Sequence, residues 1–415
     1  MNEWKKVKIS EIGKVVTGKT PKTSNSSFYG GKTPFFTPSD DWSTKYIKNT
    51  NKYLTEDGKN SVKGSIIPKN AICVSCIGII GKVAMTSSET VTNQQINSII
   101  VDETKYDIDF IYYAMVELGK ILNFHSGSST VVPIISKNTF SEYKLTCPNL
   151  GEQKKIANVL SIIDKKIEIN KQINDNLEKQ TKLLYDYWFT QFDFPDENGN
   201  PYKSSGGEMV FNEELKRYIP KGWSIETLLN NTISRIIKPG VNIFKEKTYF
   251  ATADINNKEI SSGNKVLYQN RESRANMQPI KSSVWFAKMK NSVKHLFITD
   301  NMDFMINEGI LSTGFCGLEC EKISFEYISS FITSPYFEMA KDILSHGATQ
   351  EAVNNNDLNF INILIPDHRT LLNFHKITKT IYEQITENIC SNRKLIELRD
   401  YLLPLLLNGQ VTIED

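Results

Sequence analysis

The chain has 415 residues, 49 Lys and Arg against 47 Asp and Glu, a formal net charge of +2, 40% hydrophobic and 23% charged residues. Those values suit two or three soluble domains with their own cores and exclude a disordered or fibrous chain. The longest apolar runs, residues 71–80 and 401–407, are too short to span a bilayer, and residues 1–10 hold no secretory signal, so a cytoplasmic protein without a membrane partner is expected.

Residues 1–148 read as a first α/β (α+β) globular domain. Short β-rich runs at 70–79 and 97–101 alternate with Gly, Pro and Ser punctuation. Phe110, Tyr113, Ala114, Leu118 and Leu122 then recur at helical spacing. A long helix occupies 149–194. Asn149 stands three residues before Glu152, as in a capping box, and the apolar seam runs Ile156, Leu160, Ile163, Ile167, Leu177, Leu184, Trp188 in coiled-coil steps. Residues 195–222, rich in Pro, Gly, Asn and Ser, form a linker. A second α/β domain at 223–366 and a second long helix at 367–415 complete the chain.

The helices repeat each other. Adding 218 to a position of the first helix gives the same kind of residue in the second: Ile156 and Phe374, Val159 and Ile377, Ile163 and Ile381, Ile167 and Ile385, Asn170 and Asn388, Asn174 and Asn392, Leu177 and Leu395, Leu184 and Leu402. A repeat of this length is a duplicated domain-plus-helix module rather than a solenoid unit. An antiparallel coiled coil of the two helices, with a pseudo-two-fold axis, is the natural packing. Its pairing residues are Ile163, Ile167, Asn170, Asn174 and Leu177 with Ile381, Ile385, Asn388, Asn392 and Leu395. Polar seam residues cost stability and set register. The globular parts have diverged: residues 70–83 and 283–296 share little beyond polarity pattern.

Charge is unevenly spread. Residues 235–294 hold twelve bases and four acids, residues 300–357 ten acids and two bases. A basic stretch inside a folded domain points to a polyanion, and a solvated lysine-rich surface is the competing reading.

Signals for catalysis are weak. Gly78-Ile79-Ile80-Gly81-Lys82 resembles a phosphate loop but has Cys76 and Val83 where the pattern needs Gly and Ser or Thr. Cys73, Cys76, Cys147, Cys316, Cys320 and Cys390 are scattered and read as small buried hydrophobes, with no metal site. His125, His295, His346, His368 and His375 form no local cluster, and no Pro-Pro pair exists for a methyltransferase-type motif.

With these features in place, the chain resembles the specificity subunit of type I restriction-modification systems over essentially its whole length. The resemblance rests on Val16-Thr17-Gly18-Lys19-Thr20-Pro21 with Thr33-Pro34-Phe35, and on Gly151-Glu152-Gln153-Lys154-Lys155-Ile156 with Tyr187-Trp188-Phe189. It continues in Ser204-Ser205-Gly206-Gly207, in Ile219-Pro220-Lys221-Gly222-Trp223, and in Leu398-Arg399-Asp400-Tyr401-Leu402-Leu403-Pro404. The second domain departs at Ile237-Lys238-Pro239-Gly240, and His368-Arg369-Thr370 stands where the Glu-Gln pair would be.

The resemblance implies a non-catalytic subunit of two target recognition domains, each reading half of a bipartite double-stranded DNA site. It implies two methyltransferase subunits docked on the helices and restriction subunits beyond them. S-adenosylmethionine, ATP and Mg would belong to those partners, with no cofactor on this chain. Candidate DNA contacts are Lys19, Lys22, Asn25, Tyr29, Trp42, Lys45, Ser128 and Ser129 in the first domain. In the second they are Arg235, Lys238, Lys245, Lys247, Arg271, Arg274, Lys288, Lys290, Lys294, Thr349 and Gln350. A coiled-coil adaptor that ignores DNA is the alternative.

Overall fold

The computed structural model describes residues 4–126, 133–256, 259–260, 263–347 and 351–413. It folds as two compact units, residues 1–166 with 395–415, and residues 167–394. The division runs through both long helices, so each unit owns part of each helix, which a linear partition of the chain misses.

Among the described residues the first unit has eleven strands: β1 (Lys5–Lys8), β2 (Gly13–Thr17), β3 (Tyr29–Phe36), β4 (Tyr46–Ile47), β5 (Lys52–Leu54), β6 (Ile66–Ile67), β7 (Ile72–Ser75), β8 (Val83–Thr86), β9 (Thr90–Thr92), β10 (Ile96–Val101) and β11 (Lys144–Cys147). They form sheets in the orders β2-β10-β7-β8-β4, β5-β3-β9-β6 and β1-β11. Strands β7 and β8 are buried at every residue and apolar up to their last residues, Ser75 and Thr86, as expected of strands covered on both faces. Helix Ile108–Ser126 lays Phe110, Ile111 and Met115 on Ile72, Val74, Met85 and Ile99, and Leu403 and Leu406 from the end of the second long helix join the same core. The Gly78–Lys82 segment turns between β7 and β8. Gly81 has φ +85°, and a Cβ there would lie 2.1 Å from the Gly119 carbonyl oxygen, so this glycine serves close backbone packing on the helix rather than a phosphate.

The second unit contributes β12 (Met209–Asn212), β13 (Arg217–Pro220), β14 (Ser224–Thr227), β15 (Ser234–Ile236), β16 (Lys247–Phe250), β17 (Ile255–Asn256), β18 (Glu259–Ile260), β19 (Asn264–Val266), β20 (Ala275–Met277), β21 (Ser283–Ala287), β22 (His295–Ile298), β23 (Gly309–Ser312), β24 (Phe315–Cys320) and β25 (Asn362–Ile365). Its main sheets run β15-β24-β21-β22, β19-β16-β23-β20 and β14-β25. Each order restates one of the first unit, with β15 in the place of β2, β16 of β3 and β25 of β11. Even the parallel pair recurs: β3 with β9, and β16 with β23. The first unit adds a strand, β4, at the outer edge of β8, which has no counterpart beside β22 among the described residues. The short hairpin β12-β13 lies within the stretch expected as a structureless linker. Most cysteines are core residues, and burial pushes the thiols of Cys73, Cys147 and Cys316 up to about 12 and that of Cys76 to about 11.

The first long helix runs Leu150–Tyr185 and ends in a π-helical turn, Asp186–Thr190, that buries Trp188 and Phe189. The second runs His368–Leu407. Both start on a side-chain cap. The Asn149 amide oxygen accepts from Glu152 N at 3.0 Å, and 218 residues on, Asp367 accepts from Thr370 N at 3.0 Å.

In the second unit the helices pair antiparallel through four asparagines. Asn170 Nδ2 donates to Asn392 Oδ1 at 2.8 Å, and Asn392 Nδ2 donates to the Ile167 carbonyl at 3.2 Å. The 218-residue shift converts these bonds into Asn388 Nδ2 to Asn174 Oδ1 at 2.7 Å and Asn174 Nδ2 to the Ile385 carbonyl at 3.3 Å. The four amides are buried and satisfy one another across a local pseudo-two-fold axis. Of the aliphatic pairing residues, Ile163, Ile167 and Ile385 are buried, while Leu177, Ile381 and Leu395 are only half-buried. In the second helix the buried line passes through Phe374, Thr378, Tyr382 and Ile385, leaving Ile377 48% exposed, so the seam there carries more polar atoms than a heptad of aliphatics predicts. Among the described residues no helix is long and apolar enough to cross a membrane.

Candidate nucleic-acid interface

The two domains place polar, basic and aromatic side chains at the same sheet edge, β5 in the first and β19 in the second.

In the first unit, residues 18–29 pack against the turn that follows β9. Lys19 N donates to the Thr92 carbonyl at 2.9 Å and Thr20 Oγ1 to Gln94 Oε1 at 2.6 Å. Asn25 is consumed as a cap, its Oδ1 accepting from Ser27 N and Oγ, and Tyr29 OH donates to the Pro21 carbonyl at 2.9 Å. This leaves Lys19 and Lys22 exposed. Beside them Thr23, Tyr29, Gly30, Gly31, Asn51, Lys52 and Tyr53 line a groove of about 480 Å³ that contains no carboxylate. Gly31 forms its floor: a Cβ there would sit 2.2 Å from the Leu54 carbonyl oxygen.

Two candidates of this domain are structural instead. Lys45 forms a 2.8 Å ion pair with Asp109, and its ammonium lies 4.7 Å from the Tyr113 ring centre and 5.0 Å from that of Tyr112. With its side chain 14% exposed, it neutralises a carboxylate at the start of a core helix and is withdrawn from any DNA. Trp42 packs on the core residue Phe36 with ring centres 4.4 Å apart and planes tilted by 41°, and donates Nε1–H to the Thr37 carbonyl.

The second unit builds its edge from Phe244, Tyr268 and their cations. The two rings meet edge to face at 5.4 Å. The Arg271 guanidinium lies 4.1 Å over Tyr268 while donating to the carbonyls of Tyr268 and Ala275, which fixes its plane. Lys247 Nζ donates to Gln278 at 2.7 Å, 5.8 Å from the Phe244 ring centre, and burial lowers its pKa. Lys238, Lys245 and Arg274 are exposed, with no ionic partner among the described residues.

The rest of the basic stretch is partly engaged within the fold. Strand β15 lies antiparallel to β24 with Arg235 opposite Glu319, and the two form a two-pronged bridge of 2.8 and 3.0 Å. The carboxylate raises the pKa of the guanidinium, which lowers that of the carboxyl. Lys290 pairs with Glu351 at 2.8 Å, and Lys294 donates to the Thr252 carbonyl. Lys288 is half-buried between backbone bonds to Gly314 and Val353. The opposed charges of residues 235–294 and 300–357 thus partly meet inside the fold, which weakens the polyanion argument for Arg235 and Lys290, while Lys288 and Lys294 are half-buried. Ser128, Ser129, Thr349 and Gln350 lie outside the described residues.

Sequence reasoning missed Asn51, Lys52, Tyr53, Phe244 and Tyr268. The available signal was a base beside an aromatic, as in Lys52-Tyr53 and Phe244-Lys245, a pairing too common in solvated loops to stand out.

Comparison with known proteins adds an independent line. The family profile described as type I restriction modification DNA specificity domain matches residues 1–179. The chain is 28% identical to the type I restriction enzyme MjaIX specificity subunit of Methanocaldococcus jannaschii, over 100% of this chain and 94% of that protein. It is 35% identical over 148 residues to the HindI specificity subunit of Haemophilus influenzae, 35% of this chain and 32% of that one. The crystal structure of the type I restriction-modification S subunit from M. genitalium has the same fold, with a TM-score of 0.51 at 16% identity, covering 98% of this chain and 96% of that one.

Proposed function

We propose that the chain is a type I restriction-modification specificity subunit, the part of such a complex that chooses the DNA sequence. Each α/β domain reads one half of a bipartite, asymmetric site, and the paired helices hold the halves on the order of one helical turn, ~34 Å, apart. The observation that carries this reading is the double use of one strand order with unlike edge chemistry, joined by helices that share one asparagine rule. A spacer needs equal geometry at both ends; two different half-sites need different contacts.

The chain itself performs no chemistry in this reading. Two methyltransferase subunits dock on the helices, and restriction subunits join for cleavage in the cytoplasm. S-adenosylmethionine, ATP and Mg belong to them. Affinity comes from phosphate contacts of exposed Lys and Arg and therefore falls as salt rises, with a log–log slope near −0.9 per contact. Sequence choice comes from base edges.

Exchanging residues 223–366 for another recognition domain tests the assignment, read by mapping methylated sites in the host genome. One half-site is expected to change. Change in both, or a flat salt dependence of DNA binding, overturns the reading and favours a DNA-blind adaptor.

A further inference from the structure

The groove beside β5 holds a side chain prepared for recognition and otherwise unused. Asp40 is 7% exposed and locks two loop segments together. Its Oδ2 accepts from Thr37 N at 2.6 Å and Thr37 Oγ1 at 2.8 Å, and its Oδ1 accepts from Asn51 N at 2.6 Å. Asn51 is thereby held at its backbone, and its amide is steered by one bond, Nδ2 to the Ser39 carbonyl at 3.3 Å. Its other amide proton and its Oδ1 have no partner among the described residues, although the side chain lines the groove. The next residues are fixed too: Thr50 Oγ1 donates to the Lys52 carbonyl at 2.7 Å, and Thr50 N to Tyr53 OH at 3.4 Å.

An exposed asparagine ordinarily samples several rotamers. One held at its backbone and guided by a side-chain bond has lost part of that freedom before any ligand arrives, which is the preorganisation a recognition contact needs. A carboxamide presenting one donor and one acceptor side by side matches adenine at N7 and N6 in the major groove. The aromatic walls, Tyr29 and Tyr53, and the absence of carboxylates admit a base beside its phosphate, and exposed Lys52 stands next in the chain.

We propose that Asn51 reads an adenine edge in the half-site of the first domain, with Lys52 on the adjoining phosphate. The assignment rests on the DNA-reading role proposed above. The test expresses the chain with its modification partners and sequences the methylated motif of the host genome. Asn51→Asp removes the donor and keeps the acceptor, so preference at one position is expected to move from A·T toward C·G, by about 5- to 150-fold for the loss of one bidentate pair. Asn51→Ala is expected to relax that position without a new preference. Lys52→Ala is expected to lower methylation evenly and leave the motif intact.

The second half-site stays unchanged in every variant. An unchanged motif with both Asn51 variants overturns the inference, as does loss of methylation everywhere by both, which marks a structural residue. A wild-type chain that yields no bipartite motif removes the DNA-reading role itself, a separate failure.

Discussion

In the first unit, Tyr113 OH donates to Asp164 Oδ2 at 2.6 Å, and Arg399 Nη1 reaches Asp164 Oδ1 at 2.9 Å. A domain helix, the first long helix and the second long helix meet at that point. One repeat of 218 residues away from Asp164 and Arg399 stand Tyr382 and Thr181, and Ser330 stands 217 residues after Tyr113. In the second unit Ser330 Oγ and Tyr382 OH lie 3.2 Å apart, with Thr181 at the same hydroxyl. Two positions match in the register and the third is shifted by one residue, yet the chemistry differs: a charged triad stands in the first unit and a neutral one in the second. Duplication preserved the place where a domain is clamped to the helices, because geometry demands a polar contact there. It did not preserve the charge, because either set satisfies its buried polar atoms.

The comparison also runs the other way. Helix Pro335–Leu344 of the second unit buries Lys341 completely against Glu338 at 2.6 Å, with His295 at 2.8 Å from the same carboxylate. Helix Ile108–Ser126 of the first unit has one lysine, Lys120, and it is exposed.

The largest expected effect follows from that difference. Glu338→Gln removes the nearer counter-charge of a buried ammonium, leaving Asp342 at 4.0 Å, and is expected to cost about 3 kcal/mol. Hydrogen exchange resolved by segment should place the loss in the second unit. A cost below about 1 kcal/mol would show that the ion pair is solvated.

Acid should act on the same unit. Burial alone raises the Glu338 carboxyl, but hydrogen bonds from His295 and Lys341 outweigh it and hold its pKa below the ordinary value. A depressed acid contributes stability above its unfolded pKa, about 4.3, and that contribution is lost as pH falls below that value. Exchange protection around residues 335–344 should therefore fall over this range in the wild type, and Glu338→Gln should flatten the response.

Next comes the clamp. Arg399→Met leaves Asp164, partly shielded from solvent, with only its tyrosine partner, and about 2 kcal/mol is expected in chemical denaturation. The matched Thr181→Val should cost under about 1 kcal/mol, since a hydroxyl is replaced by a group of equal shape. Equal costs would erase the distinction between the charged and the neutral clamp.

The asparagines give the opposite pattern. Asn392→Ala and Asn174→Ala each remove a bond to an asparagine and one to a backbone carbonyl, so each should cost about 1–3 kcal/mol. Their difference should stay within a few tenths of a kcal/mol, because the pseudo-two-fold axis gives them equivalent surroundings. A gap above about 1 kcal/mol would break the symmetry argument.

Much of the architecture was legible because helical periodicity survives duplication. The 218-residue register of Asn170 and Asn388, Asn174 and Asn392 predicted a paired seam, and those residues meet in it. The edge chemistry was far less legible. Lys45 and Arg235 look like surface bases in one dimension, yet each sits opposite an acid, Asp109 and Glu319, brought there by folding. Asn51 looks like an ordinary loop residue until Asp40, eleven residues earlier, is seen to hold it.

Sequence alone determined the duplication, the two long helices and the polar register between them, since seam residues recur at fixed spacing along a rod and need no knowledge of distant chain. Tertiary structure decided which cations remain exposed and which are spent on internal carboxylates. It also decided which residues form the groove at β5, because strand register and loop packing join residues that no local pattern connects.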